Sequence, residues 1–62
     1  MRVGDITDIY DGHIVVMATT HNGRAILYDS RISPDLPFDV CFMEVNALFP
    51  MAKNLLEVWV NV

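Results

Sequence analysis

The sequence predicts a mainly β domain in which an antiparallel meander continues into a small five-stranded barrel with one short helical turn. Two residue pairs carry this prediction, Asp11-Gly12 and Asn22-Gly23. Asp-Gly and Asn-Gly are the preferred central residues of two-residue hairpin turns, since both positions need a positive φ. The segments beside them are rich in Ile, Val, Thr and Tyr, which suit a pleated surface. The 62 residues are enough for a single domain spanning 1–62.

The first three strands are expected over residues 6–10, 13–20 and 24–32. With the two pairs as turns, Met17 faces Tyr28 across the second hairpin. Side chains alternate between the faces of a strand, so both faces of the meander become apolar. One face holds Ile14, Val16, Ala18, Ala25 and Leu27, and the other holds Val15, Met17, Ile26 and Tyr28. The meander therefore needs a cover on each side, and we expect one of the two to be a second chain.

The second half of the chain is expected to complete the barrel. Pro34 and Pro37 end the third strand, because proline has no amide hydrogen to donate to a ladder. A fourth strand is predicted over residues 38–45, followed by an irregular or helical turn over residues 47–54. The final strand is predicted over residues 55–62, where aliphatic residues alternate with polar or aromatic ones.

This order of elements resembles that of small SH3-like or OB-like barrels, which implies a single closed sheet. The alternative fold is an α+β sheet with one helix packed over it near residues 47–56. Good helix formers occur there, but Pro50 would interrupt a helix that begins at Asn46.

Composition and charge favour a protein partner. Apolar residues make up 53% of the chain and charged residues only 19%, against about a quarter in a typical soluble domain. A chain of this length buries only ~60% of its unfolded surface, so apolar residues remain outside, where a contiguous patch marks a contact. We expect a homo-oligomer, most simply a dimer. The net charge of −4 and the dispersed basic residues disfavour nucleic acid.

Three absences predict a cytoplasmic protein without a membrane partner. The single cysteine, Cys41, excludes an internal disulfide, which small secreted domains usually need. No segment has the pattern of a signal peptide, and no apolar run approaches the ~20 residues that span a bilayer.

No motif predicts a metal, a cofactor or a catalytic residue. Asp5, Asp8 and Asp11 are spaced so that neighbours diverge on a strand. His13 and His21 are too far apart to share an ion, at roughly 26 Å along one strand. Cys41 has no base nearby in sequence, and no glycine pattern marks Ser30 as a nucleophile. We therefore predict that the chain is not an enzyme.

The predicted function is that of a non-catalytic protein-binding module, a small intracellular regulator or inhibitor of the kind that phages and mobile elements encode. It would act through an apolar surface and self-association. The predicted partner-binding residues are Trp59, Tyr28, Phe49, Met51, Arg24 and Glu57. The alternative is a barrel that binds single-stranded nucleic acid by stacking bases on Tyr28 and Trp59.

Overall fold

A computed structural model describes residues 1–61 and contains two helices and four strands. In chain order they are α1 (Val3–Ile9), β1 (His13–Thr20), β2 (Gly23–Asp29), α2 (Phe38–Cys41), β3 (Val45–Ala52) and β4 (Leu55–Val60). The strands form one mixed sheet in the order β2-β1-β4-β3. The central pair, β1 and β4, is parallel, and the two edge strands are antiparallel to their neighbours. The mainly β class is confirmed. Within the described residues, however, the sheet is open and has four strands, so it does not form the predicted five-stranded antiparallel barrel.

The first predicted strand, residues 6–10, is wrong, because residues 3–9 form helix α1. Asp5 accepts the backbone N–H of Arg2 at 2.9 Å and so satisfies a donor at the start of the helix. Val3 and Ile6 lie three residues apart on one helical face and are both buried. The Asp11-Gly12 hairpin is absent as well, since Gly12 joins α1 to β1 and does not have a positive φ.

The second predicted hairpin is confirmed, although its register differs. Thr20 pairs with Gly23, so the two turn residues are His21 and Asn22. A bulge then shifts the register between Val16 and Met17. As a result Met17 faces Ile26 instead of Tyr28, and Tyr28 faces Val16 on the other side of the sheet. Strand β2 ends at Asp29, three residues earlier than predicted.

The predictions for residues 38–54 are also wrong. Residues 38–41 form the single helical turn α2, and residues 45–52 form strand β3 in place of a turn or a packed helix. Pro50 is tolerated because β3 is an edge strand, where a missing amide hydrogen need not break a ladder. The turn before β4 uses Asn54 at a φ of 64°, which asparagine adopts more readily than most residues. Strand β4 over residues 55–60 is confirmed, and Val62 lies outside the described residues.

Both helices contribute to the core on one face of the sheet. Val3 of α1 packs there with Val16 of β1 and Val58 of β4, and all three are fully buried. Val40 is the buried residue of α2. The remaining members of this cluster are Ile6, Ile14, Ala18, Tyr28 and Val60. Neither helix in the described part of the chain has the length and apolar character needed to cross a membrane.

Candidate functional site: the open face of the sheet

The face of the sheet that points away from the helices is the candidate functional site, and we call it the open face. Val16 and Val58 pair directly and point into the core, so their strand neighbours Met17 and Trp59 point the other way. The strand pairings extend this assignment to the edge strands. The open face consists of Arg24 and Ile26 from β2, Val15, Met17 and Thr19 from β1, Glu57 and Trp59 from β4, and Ala47 and Phe49 from β3.

Apolar side chains cross the open face in one row. Met17 pairs with Ile26 on one side and with Trp59 on the other, and Trp59 pairs with Ala47. We call these four residues the apolar row. Ile26 is 61% exposed, while Met17 and Trp59 are half-buried by their neighbours. Phe49, 52% exposed, continues the apolar surface on the adjacent level of β3. Val15 is buried on this face, at 8% exposure. An apolar stripe across a sheet face that neither helix covers is typical of a surface that contacts another molecule.

Trp59 is held in place by a neighbour on its own strand. Its indole Nε1–H donates to Glu57 Oε1 at 2.7 Å. Residues two apart on a strand share a face, so this hydrogen bond lies on the open face. It satisfies the only polar group of the indole and leaves the ring available for apolar contact. Glu57 in turn lies opposite Phe49 on β3.

Four of the six predicted partner-binding residues come together on the open face: Trp59, Glu57, Phe49 and Arg24. Met51 is exposed near the end of β3, where the register with β4 shifts between Pro50 and Ala52. Tyr28 is separated from the others, because it lies in the core at 7% exposure and its hydroxyl donates to the Ser33 carbonyl at 2.8 Å.

Sequence reasoning left Met17 and Ile26 out of the site, although alternation already placed them on one face. It included Tyr28 on that face because the bulge that moves this residue leaves no mark in the sequence.

A polar cluster ties the end of β2 to the start of β1. Ser30 Oγ accepts the backbone N–H of Ile14 at 2.9 Å and lies 3.1 Å from His13 Nδ1. Asp29 Oδ1 accepts from Arg31 N and Nε, both at 3.0 Å, and Oδ2 accepts from an Arg31 terminal nitrogen at 2.7 Å.

Asp29 and Arg31 form the ion pair of this cluster. The hydrogen bonds from Arg31 hold the pKa of the Asp29 carboxyl below its usual value. Ser30 and His13 are in contact, and the Asp29 carboxylate next to them accepts its hydrogen bonds from Arg31.

Two cavities of the described chain differ in the charge of their linings. The cavity beside the Ser30 cluster has a volume of about 300 Å³, and Thr7, Tyr10 and Ser30 supply much of its polar lining. A second cavity is lined in part by the charged side chains of Arg2, Asp5 and Asp8. Among residues 1–61, no three His, Cys, Asp or Glu side chains gather in a group that could hold a metal ion.

Comparisons of the chain with protein-family models, with curated proteins and with solved structures find no match of any of the three kinds. The open face and its neighbouring residues are therefore the basis for a functional inference.

Proposed function

We propose that this chain is a non-catalytic protein-binding module that acts through the open face, as a small regulator or inhibitor that also self-associates. The observation that carries the proposal is the apolar row, which crosses all four strands on a face that neither helix covers. When a partner covers the apolar row, the exposed apolar surface of its residues is removed from water. That burial is the main driving force of protein association.

The residue types of the open face also support a protein partner. Trp, Met, Phe and Arg are enriched in the buried centres of protein interfaces, and all four occur here. Trp59 lies on a central strand, and large aromatic residues near the middle of an interface contribute most to binding. The strands hold these side chains on a rigid surface, so little conformational entropy is lost when a partner binds.

Nucleic acid is a weaker candidate for this face. Stacking of bases would use Trp59 and Tyr28, and the Tyr28 ring is buried on the opposite side of the sheet. The Glu57 carboxylate hydrogen-bonds to Trp59 and would repel a phosphate placed beside the indole. Among the described residues, Arg24 lies on the open face and Arg31 is paired with Asp29 at its edge, which is too few basic side chains for a phosphate track.

The test is capture of partners from a lysate of the source cells, with the bound proteins identified by mass spectrometry. Wild-type chain, Trp59→Ala and Phe38→Ala are immobilised in parallel. Phe38 is 81% exposed on α2, away from the open face, and so controls for the loss of any exposed aromatic side chain. Circular dichroism confirms that each variant is folded. We expect Trp59→Ala alone to lose the captured protein. Equal capture by all three chains would overturn the proposal.

A further inference from the structure

We propose that the cavity beside the Ser30 cluster binds a small, uncharged, flat heterocycle whose ring carries both a hydrogen-bond donor and an acceptor. We call this space the neutral cavity. It lies between the end of α1, the strands β1 and β2, and the segment that follows β2. Its wall residues Ile14 and Tyr28 belong to the core, so the site is on the opposite side of the sheet from the open face. Binding here goes beyond the proposed function and does not depend on it.

The walls of the neutral cavity are held in place by contacts within the chain. The Tyr28 hydroxyl donates to the Ser33 carbonyl at 2.8 Å, and the Ser33 N–H donates to the Asp29 carbonyl at 3.1 Å. These two bonds tie the segment after β2 back to the strand. On the other side, a Cβ at Gly12 would lie 2.7 Å from Tyr10 Cε2, so the Tyr10 ring packs directly on the Gly12 backbone. A cavity with fixed walls loses little conformational entropy when a ligand fills it.

The size and the lining of the neutral cavity favour a flat ring system. Its volume of about 300 Å³ is at the lower end of the range of ligand pockets, about 300–1,000 Å³. An apolar cavity of about 150 Å³ holds benzene, so twice that volume has room for two fused rings. The rings of Tyr10 and Tyr28 line the space together with the aliphatic side chains of Ile14 and Leu36. Aromatic walls of this kind stack on a flat ligand.

The charge of the lining excludes an ionised ligand. None of the described residues that line the neutral cavity has a charged side chain, whereas Arg2, Asp5 and Asp8 line the second cavity. An ionised group that leaves water without a charged partner is far more costly to bury than a neutral polar group. The ligand that fits this site is therefore uncharged.

The hydroxyl groups of the lining determine which polar atoms the ligand needs. A hydroxyl has one hydrogen to donate and two acceptor positions. Thr7 and Tyr28 donate their hydrogens to backbone carbonyls, each at 2.8 Å, so they offer a ligand only their acceptor positions. The Tyr10 hydroxyl has no hydrogen-bond partner among residues 1–61, so its hydrogen is available. A ring with an N–H for the Thr7 or Tyr28 oxygen and a carbonyl for the Tyr10 hydroxyl, as in a lactam, satisfies both requirements.

The first experiment measures affinity and location with two probes. Oxindole is a neutral bicyclic lactam, and indole has the same fused ring system and an N–H but lacks the carbonyl. Each is titrated into the ¹⁵N-labelled wild-type chain and followed by NMR. We expect oxindole to bind saturably with a dissociation constant of about 1 mM or lower, and indole to bind at least about threefold more weakly. The amides that shift should be those around the cavity, such as Thr7, Gly12 and Ser30. No saturable shift up to about 10 mM, or shifts centred on the open face, would overturn the site.

The second experiment tests the role of the Tyr10 hydroxyl. Tyr10→Phe keeps the ring and removes the hydroxyl, and Thr19→Val removes an exposed hydroxyl from the open face as a control. The NMR spectrum of each variant reports whether it is folded. We expect Tyr10→Phe to bind oxindole and indole equally, because the hydrogen bond behind the preference is lost, and Thr19→Val to keep the wild-type preference. A preference for oxindole that survives in Tyr10→Phe would refute the hydrogen bond that selects the ligand.

A charged analogue tests the neutral character of the site. Indole-2-carboxylate has the same ring system with an ionised group, and we expect it not to bind. Binding as tight as that of oxindole would overturn the requirement for an uncharged ligand. These outcomes are separate from partner capture through Trp59, which tests the proposed function on the other side of the sheet.

Discussion

Replacement of Gly12 by alanine tests how the two halves of the protein are joined. An ideal Cβ at this position would lie 2.6 Å from the Asn54 carbonyl oxygen and 2.8 Å from its carbon, and both atoms belong to the backbone. That oxygen also accepts the His13 N–H at 2.7 Å. The added methyl group must therefore push the β3–β4 turn away from the start of β1 and weaken this hydrogen bond.

The loss of folding free energy in Gly12→Ala is the sum of three contributions. Insertion of a methyl group into a packed site costs about 1–3 kcal/mol. Weakening of the hydrogen bond adds about 1 kcal/mol, and the reduced flexibility of the unfolded chain returns about 0.4–1 kcal/mol. The net loss of folding free energy is about 1–3.6 kcal/mol, which lowers the melting temperature of so small a domain by about 4–29 °C.

The assay is urea and thermal unfolding followed by circular dichroism, and Asp11→Ala serves as the neighbouring control. Gly12→Asn separates packing from backbone conformation. In a type I′ hairpin turn asparagine would be tolerated, because it accepts a positive φ. Against the Asn54 backbone its larger side chain should cost more than alanine. The reasoning fails if Gly12→Asn unfolds at the wild-type temperature, or if Gly12→Ala loses less than about 0.5 kcal/mol.

Three further outcomes are expected from unfolding experiments. Val58→Ala removes buried methyl groups from the centre of the core and should cost about 2 kcal/mol in urea unfolding; a loss below about 0.5 kcal/mol would show that the site is not packed. Asn54→Gly should match wild type, whereas Asn54→Ala should lose about 1 kcal/mol at its φ of 64°. Asp29 has a lowered pKa in the folded state, so its stabilising effect is complete above the unfolded value of 3.8 and disappears as the pH falls through the folded pKa. Asp29→Asn should therefore melt below wild type at neutral pH, and the difference should shrink in acid; a constant difference would contradict the ion pair.

Local patterns in the sequence were enough to predict β1, the hairpin to β2, and β4. These segments have the alternation and the β-branched residues that a strand favours wherever it is placed. The errors came from residues whose conformation depends on distant contacts. Gly12 has the sequence of a turn residue, and only the folded chain shows the Asn54 backbone against it. Pro50 was interpreted only as an interruption of a helix, whereas an edge strand such as β3 also accepts proline.

Helix α1 could have been found from the sequence. Val3, Ile6 and Tyr10 follow helical spacing, and Asp5 is placed to accept the N–H of Arg2. The Asp11-Gly12 pair outweighed this weaker signal. Alternation along β4 was enough to predict that Trp59 and Glu57 lie on the same face of the sheet. The departure of Tyr28 from that face was not, because a bulge is decided by packing in three dimensions.

The parallel pairing of β1 with β4 has a consequence for how the chain folds. His13 pairs with Leu55, so the central ladder closes a loop that contains about two thirds of the chain. Closure of this loop costs conformational entropy before the core contacts that offset this cost can form. Domains dominated by such distant contacts fold in milliseconds to seconds. Until then the β1–β2 hairpin is marginal in water by itself. Strand β3 has no neighbour other than β4. We therefore expect single-exponential refolding without a stable half-folded species, and a transition state in which β4 has already docked on β1.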